Sequence, residues 1–309
     1  MTSDIMSLHI LFMGSSDYSL VILKSLISKF PVKLIATQPD KPIGRGNKIE
    51  PALLKVLAND LDIPVIQPAK IKEDLFRDSI SSYSIDLIIV AAYGKILPKW
   101  LLDYPKYGCL NVHASLLPRW RGASPIQAAI LNGDKQTGVT IMKMDEGIDT
   151  GPILKAQTVD IDTADTGKTL SIKIAQAGSE LLVTTLPDYL EGKLLPQMQG
   201  ESRATYSGLI IKEDGILDFD QPAETLEKKI RAFNPWPVCF FDWNSNSIRV
   251  YKAEISNEKR LENSQRGIYE KYPSIGTSTN DLILIEIQPS GKKIIDGKAF
   301  LNGARNWAD

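Results

Sequence analysis

Two polar side chains with chemical capacity stand close together in the segment GCLNVHASLLPRWRGASP, residues 108–125. Asn111 offers amide N–H donors, and His113, one of only two histidines in 309 residues, is suited to take and give protons near neutral pH. A short strand over Cys109–Val112 would point Asn111 and His113 to the same face of a sheet, because successive side chains alternate. The spacing predicts a hydrogen-bond donor and an acid–base group that share one opening.

A third candidate is Asp149 in the segment TGVTIMKMDEGIDTGPIL. A predicted strand runs there into a turn in which Gly147 and Gly151 permit a sharp bend and a close approach of the backbone to a ligand. Asp149 is therefore expected to be held rigidly in a cleft. Taken singly, a solvated turn acid and a hydrogen-bonded structural histidine are the common alternatives. The three side chains together favour a catalytic group.

The elements that would position these residues follow an α/β pattern. From residue 8 to about 157, short apolar runs alternate with helical patterns, which predicts a Rossmann-like parallel sheet. Ligands of such sheets bind beyond the carboxyl ends of the strands, where Asn111 and His113 lie. The runs GVTIMKM and ILKAQTVDI are two further strands that would pair around the intervening turn.

The second half of the chain has a different pattern. A helical stretch over residues 166–190 precedes the polar segment LLPQMQGESRATYSG, and one helix and several short strands separated by turn residues follow. This is typical of a small C-terminal OB-like β-barrel. We expect a catalytic domain over 1–190, a linker over 191–206 and a β-barrel domain over 207–309.

Composition limits the classes of protein. The apolar fraction is 43%, the charged fraction is 24% and the net charge is −1, so no global basic field indicates nucleic acid. The only cysteines, Cys109 and Cys239, are far apart and predict neither a disulfide framework nor a cysteine metal site. No signal peptide or membrane span is apparent. We expect a cytoplasmic protein without a metal and without membrane association.

The segment FMGSSDYS after the first predicted strand is a weak motif. A dinucleotide fingerprint requires three glycines, and only Gly14 is present, so a bound nicotinamide is not expected. One interpretation is a strand-to-helix turn capped by Ser15, Ser16 or Asp17. The other is an anion or substrate contact at that helix N-terminus.

The run from Asn111 to Leu154 resembles the core of the formyltetrahydrofolate-dependent formyltransferases, and the resemblance extends over nearly the whole chain. In that family an Asn, a His two residues later and an Asp in a D-x-G-x-D-T-G turn form the catalytic group, which here implies Asn111, His113 and Asp149. The turn Ser115–Pro118 is similar to the family's signature. The resemblance implies 10-formyltetrahydrofolate as the co-substrate and no metal.

The resemblance also implies which residues bind the two substrates. TQPDKPIGRGNKIEP resembles a loop inserted in family members that formylate methionine on the initiator tRNA, and IKEDGILDFDQPAETLEKKIRAFNPWP resembles the start of their C-terminal barrel. The implied partners are the methionine-charged initiator tRNA and the folate, and the protein is expected to be a monomer. The implied folate-binding residues are Ala91, Tyr93, Gly94, Ile96, Leu97, Pro98, Ser115, Leu116, Leu117 and Pro118. The implied tRNA-binding residues are Lys41, Arg45, Lys48 and Lys212.

The chemistry of formyl transfer agrees with these residue types. A neutral amine attacks the formyl carbon, negative charge develops on the formyl oxygen and one proton must leave the nitrogen. Asn111 and a donating His113 would stabilise the oxyanion, and His113 also suits the proton transfer. Asp149 would orient His113 or a water molecule and favour the protonated imidazole.

Several alternatives remain open from the residues. A Ser-His-Asp hydrolase would use Ser115 as the nucleophile, although no G-x-S-x-G elbow occurs. A formyl-folate hydrolase, or a formyltransferase acting on a sugar nucleotide or glycinamide ribonucleotide, would use a similar core. A non-catalytic RNA-binding module would leave the Asn-His-Asp group unexplained. On the second domain, a local basic face would be formed by Lys212, Lys228, Lys229, Arg231, Lys292 and Lys293.

Overall fold

A computed structural model describes residues 7–43, 48–71 and 73–308, and the chain divides into two compact units. The first unit comprises Met1–Pro125, Gln136–Asp160 and Ser171–Ser207. The second comprises Ile126–Lys135, Ile161–Leu170 and Gly208–Asp309. Each unit therefore draws on segments that are separated in the sequence.

The first unit is built on a seven-stranded sheet with strand order β10-β9-β7-β6-β1-β2-β5. Its strands, with two short pairs outside that sheet, are β1 (Ile10–Gly14), β2 (Val32–Ala36), β3 (Lys41–Ile43), β4 (Lys48–Glu50), β5 (Val65–Ile66), β6 (Leu87–Ala91), β7 (Cys109–His113), β8 (Arg121–Gly122), β9 (Gln136–Lys143), β10 (Ile153–Asp160) and β11 (Tyr206–Ser207). The helices of the first 190 residues are α1 (Asp17–Ile27), α2 (Leu53–Asp60), α3 (Glu73–Ser81), α4 (Lys99–Leu102), α5 (Pro125–Asn132) and α6 (Gly167–Leu190).

The centre of this sheet is parallel and buried. Strands β1 and β6 are buried at every position and pair in parallel, and β6 pairs in parallel with β7. Strands buried on both faces lack an alternating pattern, which is why these segments appear in the sequence as continuous apolar runs. The predicted α/β class is confirmed. Strands β9 and β10 form the expected antiparallel pair, and β9 also runs antiparallel to β7.

The turn after β1 is a capped helix start. Ser16 is the N-cap of α1, and its side chain forms a capping box with Ser19. The hydroxyl of Ser19 also donates to the carbonyl of Ala91 at 2.6 Å, and Ser15 Oγ accepts a hydrogen bond from the backbone of Gln38. The serines of GSSDYS are therefore engaged with protein atoms, as the capping interpretation expects.

The second unit contains an all-antiparallel sheet with the path β12-β13-β16-β15-β14 and a short sixth strand on β16. This arrangement confirms a small C-terminal β domain, with one helix before its strands. The elements are α7 (Ala223–Ala232), β12 (Cys239–Trp243), β13 (Asn246–Ile255), β14 (Arg266–Tyr269), β15 (Tyr272–Gly276), β16 (Asp281–Pro289), β17 (Ile295–Asp296) and α8 (Gly297–Leu301). Within the described ranges, no helix has the length and apolar character needed to span a bilayer.

Candidate active site

Strand β7 places Asn111 and His113 at its carboxyl end, in the middle of the sheet. Asn111 is flanked by Val90 on β6 and Met142 on β9. His113 is 5% exposed, whereas Asn111 is partly exposed. Both side chains reach the same carboxylate oxygen, so both project to one face, as the two-residue spacing predicts.

That carboxylate belongs to Asp149, in the loop between β9 and β10. The Asn111 Nδ2 atom donates to Asp149 Oδ1 at 3.2 Å, and His113 Nδ1 lies 3.5 Å from the same oxygen. The backbone N–H of Gly122 donates to Asp149 Oδ2 at 2.8 Å. Both carboxylate oxygens are thus engaged, and the side chain is only 16% exposed. The structure brings the three predicted catalytic residues together.

The backbone at Asp149 is unusual for a residue with a side chain. Its φ angle is +53°, in the left-handed region that disfavours a Cβ atom. Gly151, two residues later, cannot be replaced without movement, because a Cβ there would collide with the carbonyl oxygen of Lys143. The loop is therefore held tightly against the end of β9, and this holds Asp149 in its contacts.

The second ring nitrogen of His113 is also in contact with protein. His113 Nε2 lies 3.0 Å from the carbonyl oxygen of Trp120, which can only accept, so Nε2 carries a proton. A neutral ring that donates from Nε2 presents a bare Nδ1 towards Asp149, and only the doubly protonated ring donates in both directions. Nδ1 is therefore the ring nitrogen that faces the carboxylate.

The signature turn after β7 is fixed by buried hydrogen bonds. Ser115 Oγ donates to the carbonyl of Arg119 at 2.6 Å, and Ser115 is fully buried. The hydroxyl of Thr140 on β9 donates to the carbonyl of Ser115 at 2.7 Å and accepts from the backbone N–H of Leu117 at 3.1 Å. Ser115 is therefore engaged in the turn, which argues against its use as a hydrolase nucleophile. Thr140 was not identified from the sequence.

The segment expected to bind folate follows β6. The carbonyl of Ala91 accepts from Ser19, and that of Tyr93 accepts from Gln38 Nε2 at 2.9 Å. The side chains of Tyr93 and Leu97 belong to the buried core, whereas Ile96 is 78% exposed. Burial raises the pKa of Tyr93 to about 12. Among the implied folate-binding residues of this segment, Ile96 has an accessible apolar side chain, whereas Leu97 does not.

The other implied folate residues lie around the same strand ends. Gly94 has a φ of +73°, and Pro98 is the N-cap of α4. Leu116 and Pro118 are partly exposed and Leu117 is buried. The turn Ser115–Pro118 therefore offers two partly accessible side chains, at Leu116 and Pro118.

The implied tRNA-binding loop is partly a hairpin. Strands β3 and β4 pair antiparallel, with Lys41 opposite Glu50. Lys41 is exposed, and its ammonium group donates to Gln38 Oε1 at 2.7 Å. Arg45 lies outside the described residues, as does the side chain of Lys48. Two short paired strands therefore lie on either side of residues 44–47.

Two of the six cations of the expected basic face pair with acidic residues of α7. Lys228 pairs with Glu224 at 2.6 Å, and Arg231 pairs with Glu227 at 2.6 Å. Acidic residues four positions earlier supply these partners, a spacing that brings side chains together on a helix. Lys228 and Arg231 therefore each have an acidic partner one helical turn earlier, and the local basic face stays a prediction. Lys212 is exposed at the start of a 3₁₀ turn over Lys212–Gly215.

A cavity of about 580 Å³ in the first unit does not include the three convergent residues. Lysine and acidic side chains line it in equal numbers, and Lys99 pairs there with Asp103 and Glu146 at 3.1 Å each. The cavity begins beside Gly108, before β7, rather than at the carboxyl end where His113 lies. We place the chemistry at the strand end because the polar groups converge there. Within the described residues, no three His, Cys, Asp or Glu side chains are grouped to hold a metal ion.

The fold is that of formyl-transferring proteins. The chain matches the formyl transferase family over residues 9–186 and the formyl transferase C-terminal domain over residues 209–305. It belongs to the formyl transferase family.

Two relatives in that family are similar over nearly their whole length. A methionyl-tRNA formyltransferase from Hahella chejuensis is 41% identical over 306 residues, which cover 96% of this chain and 95% of the relative. A methionyl-tRNA formyltransferase from Pseudoalteromonas translucida is 38% identical over 310 residues, which cover 97% of this chain and 95% of the relative.

A solved structure shares the fold at lower identity. The N-formyltransferase from Helicobacter canadensis, in complex with folinic acid and dTDP-3-aminofucose, superimposes with a TM-score of 0.67. It is 18% identical and covers 90% of this chain and 99% of that chain. This likeness shows a common fold.

Proposed function

We propose that the protein transfers the formyl group of 10-formyltetrahydrofolate to the amino group of methionine on the charged initiator tRNA, and so supports translation initiation. The observation that carries the chemistry is the convergence of Asn111 and His113 on Asp149, at 3.2 Å and 3.5 Å. The choice of acceptor is supported by two relatives named for methionyl-tRNA, at 41% and 38% identity.

The reaction exchanges one carbon–nitrogen bond for another. The methionine nitrogen forms a bond to the formyl carbon, and the bond from that carbon to N10 of the folate breaks. The amine loses one proton and N10 gains one, so the site needs a group that passes a proton between two nitrogens. Negative charge rests on the formyl oxygen while the carbon is tetrahedral, so the site also needs a donor aimed at that oxygen.

Asn111 is the donor for the oxyanion. Its Nδ2 carries two hydrogens, one of which is donated to Asp149 Oδ1. The other hydrogen is available to donate to the formyl oxygen. A preorganised donor of this kind contributes about 3–4 kcal/mol to transition-state stabilisation. The bond to Asp149 fixes the amide plane, so little reorganisation is needed when the charge develops.

His113 carries the proton at Nδ1. Its Nε2 remains bonded to the carbonyl of Trp120, which leaves Nδ1 as the atom that changes state. The carboxylate of Asp149, 3.5 Å away, stabilises the imidazolium that forms when the proton leaves the amine. His113 then returns that proton to the departing N10. No protein nucleophile is required, because the attacking nitrogen belongs to the acceptor.

The substrate contacts are part of the same proposal. The folate lies against the segment after β6 and the turn after β7, with contacts to Ala91, Tyr93, Gly94, Ile96, Leu97, Pro98, Ser115, Leu116, Leu117 and Pro118. The tRNA is bound by Lys41, Arg45, Lys48 and Lys212. Residues 1–190 supply the catalysis and 207–309 supply tRNA binding. The protein acts as a monomer in the cytoplasm.

The test is an acceptor competition with the purified full-length protein. 10-Formyltetrahydrofolate carrying a labelled formyl group is supplied with methionine-charged initiator tRNA, a sugar-nucleotide amine and water. The proposal expects label on the methionine nitrogen, with the other two acceptors slower by orders of magnitude. Label found mainly in free formate, or on the sugar amine, would refute it.

A further inference from the structure

The segment Gln199–Ser207, of which residues 199–206 belong to the predicted linker, is hydrogen-bonded to the loop of Asp149. Gln199 Nε2 donates to the carbonyl oxygen of Asp149 at 2.9 Å and to that of Gly151 at 2.7 Å. These two carbonyls lie on either side of Thr150. One side-chain amide therefore binds the backbone at two points of the turn that holds the carboxylate.

The other end of the Gln199 amide is fixed by Arg121. Arg121 Nε donates to Gln199 Oε1 at 3.0 Å, and its two terminal nitrogens donate to Glu201 at 3.0 Å and 2.7 Å. Arg121 is fully buried, whereas the Glu201 side chain is 71% exposed. The planar fork of a guanidinium fits a carboxylate with two parallel bonds, so this pair fixes the orientation of Arg121 as well as its charge. The hydrogen bond from Arg121 lowers the pKa of Glu201.

The same segment also holds the residues that contact the catalytic side chains. Strand β11 pairs in parallel with β8, and the backbone N–H of Arg121 donates to the carbonyl of Thr205 at 2.9 Å. Thr205 Oγ1 accepts from the backbone of Trp120, whose carbonyl faces His113. A Cβ at Gly122 would collide with the carbonyl oxygen of Ser207, so the backbones are in close contact beside the N–H that binds Asp149.

We propose that Gln199 and Glu201, acting through Arg121, are positioning residues that hold Asp149 in its left-handed conformation with its carboxylate on Asn111 and His113. This inference rests on the proposed function of Asp149. The physical reason is that a residue with a Cβ does not stay at a φ of +53° without restraint, and Gln199 binds the carbonyl of that same residue. If those bonds are lost, the loop relaxes and the carboxylate moves away from His113 Nδ1.

The test compares Gln199→Met, which keeps the chain length but cannot bond, with Glu201→Ala and Glu201→Gln. Ser202→Ala is the matched control, because Ser202 is exposed in the same segment. Misplacement of a catalytic group by about 1 Å costs up to about 100-fold. We expect Gln199→Met to lower kcat by about 10- to 100-fold with KM for donor and tRNA changed less than about threefold. Glu201→Gln keeps an acceptor oxygen, so it should retain more activity than Glu201→Ala.

A second measurement separates positioning from loss of stability. The chain has only two histidines, His9 and His113, so a His9→Asn variant assigns the ring signals of His113 in an NMR spectrum. In folded Gln199→Met, the His113 signals should move in the direction that they move in Asp149→Asn, while the signals of His9 stay in place. A purely structural role would lower the folded fraction and leave the His113 signals of the folded molecules unchanged.

The outcomes are distinct. If Asp149→Asn is inactive while Gln199→Met and Glu201→Ala stay within about twofold of wild type in kcat and His113 signals, the positioning inference is overturned and the proposed function stands. If Asp149→Asn is itself fully active, the positioning inference and the proposed function are both refuted. The inference is supported if Gln199→Met has a reduced kcat and displaced His113 signals while Ser202→Ala shows neither change.

Discussion

The amide of Asn111 donates to the carboxylate of Asp149 at 3.2 Å across 38 positions of sequence. Asn111 is in the middle of the sheet, and Asp149 is in a loop whose backbone adopts a φ of +53°. In the proposed mechanism, this bond joins the donor to the oxyanion, Asn111, to the group that stabilises the imidazolium, Asp149. Changes at either residue are therefore expected to affect the other, and their effects on turnover should not be additive.

His113→Ala should lower kcat for formyl transfer by on the order of 10²–10⁴, because it removes the group that carries the proton. The matched control is His9→Ala, which removes the other histidine, whose Nδ1 lies 2.8 Å from the carbonyl of Tyr83. Steady-state kinetics with charged tRNA measures both variants, and circular dichroism checks that they fold. Near-wild-type turnover in folded His113→Ala would remove this residue from the mechanism.

Ser115→Ala should retain most of the activity. The hydroxyl of Ser115 donates to the carbonyl of Arg119 at 2.6 Å and is fully buried, so its removal loosens a turn and leaves the proton carrier intact. We expect kcat within about tenfold of wild type, since one hydrogen bond contributes about 0.5–1.5 kcal/mol. If the variant were as inactive as His113→Ala, Ser115 would have to act as a nucleophile and the protein as a hydrolase.

Arg45→Ala should weaken the use of tRNA and spare the folate. A cation that binds a phosphate releases a counterion from the nucleic acid. Its loss should therefore reduce the slope of log affinity against log salt concentration by about 1. The dissociation constant for tRNA, measured at several salt concentrations from low to physiological, gives that slope. Lys29→Ala, an exposed lysine after α1, is the control and should leave the slope unchanged. An equal loss of activity with a small amine acceptor would contradict a phosphate contact for Arg45.

The two thiols should resist alkylation in the folded protein. Burial raises the pKa of Cys109 to about 12 and that of Cys239 to about 12, and both side chains are almost fully buried. Because the thiolate is the reactive form, iodoacetamide at pH 8 should modify neither residue at an appreciable rate until the chain unfolds. Mass spectrometry before and after addition of denaturant measures this. Rapid labelling of Cys109 in the native state would contradict its burial at the start of β7.

Much of the fold was readable from the sequence because its signals are local. The uninterrupted apolar runs of β1 and β6 indicated a buried parallel sheet, and the N-x-H spacing on β7 correctly put Asn111 and His113 on one face. The two ion pairs of α7 were also predictable, because Glu224 and Glu227 stand four residues before their basic partners. The predicted basic face took account of the cations on this helix and not of the acids beside them.

The hydrogen bonds around Asp149 were not readable in that way. Arg121 reaches Gln199 and Glu201 across 78 and 80 positions, and nothing in the segment PRWRGASP marks Arg121 as the buried one of its two arginines. The polar composition of residues 191–206 favoured an exposed linker, since composition carries no information on which polar atoms find partners. A bidentate pair between an arginine and a distant acid becomes visible only when the chain is folded.

The measurement that tests the central claim most directly is the single-turnover rate of formyl transfer to charged initiator tRNA by wild type and Asp149→Asn. An asparagine has one acceptor oxygen, so it can accept from Asn111 Nδ2 or from the Gly122 N–H but not from both. The substitution therefore removes the negative charge beside His113 together with one of these two hydrogen bonds. We predict formylmethionine on the tRNA with wild type, and a rate lower by at least about 100-fold with the variant at unchanged tRNA affinity. A variant that formylates the tRNA within tenfold of wild type would contradict the account.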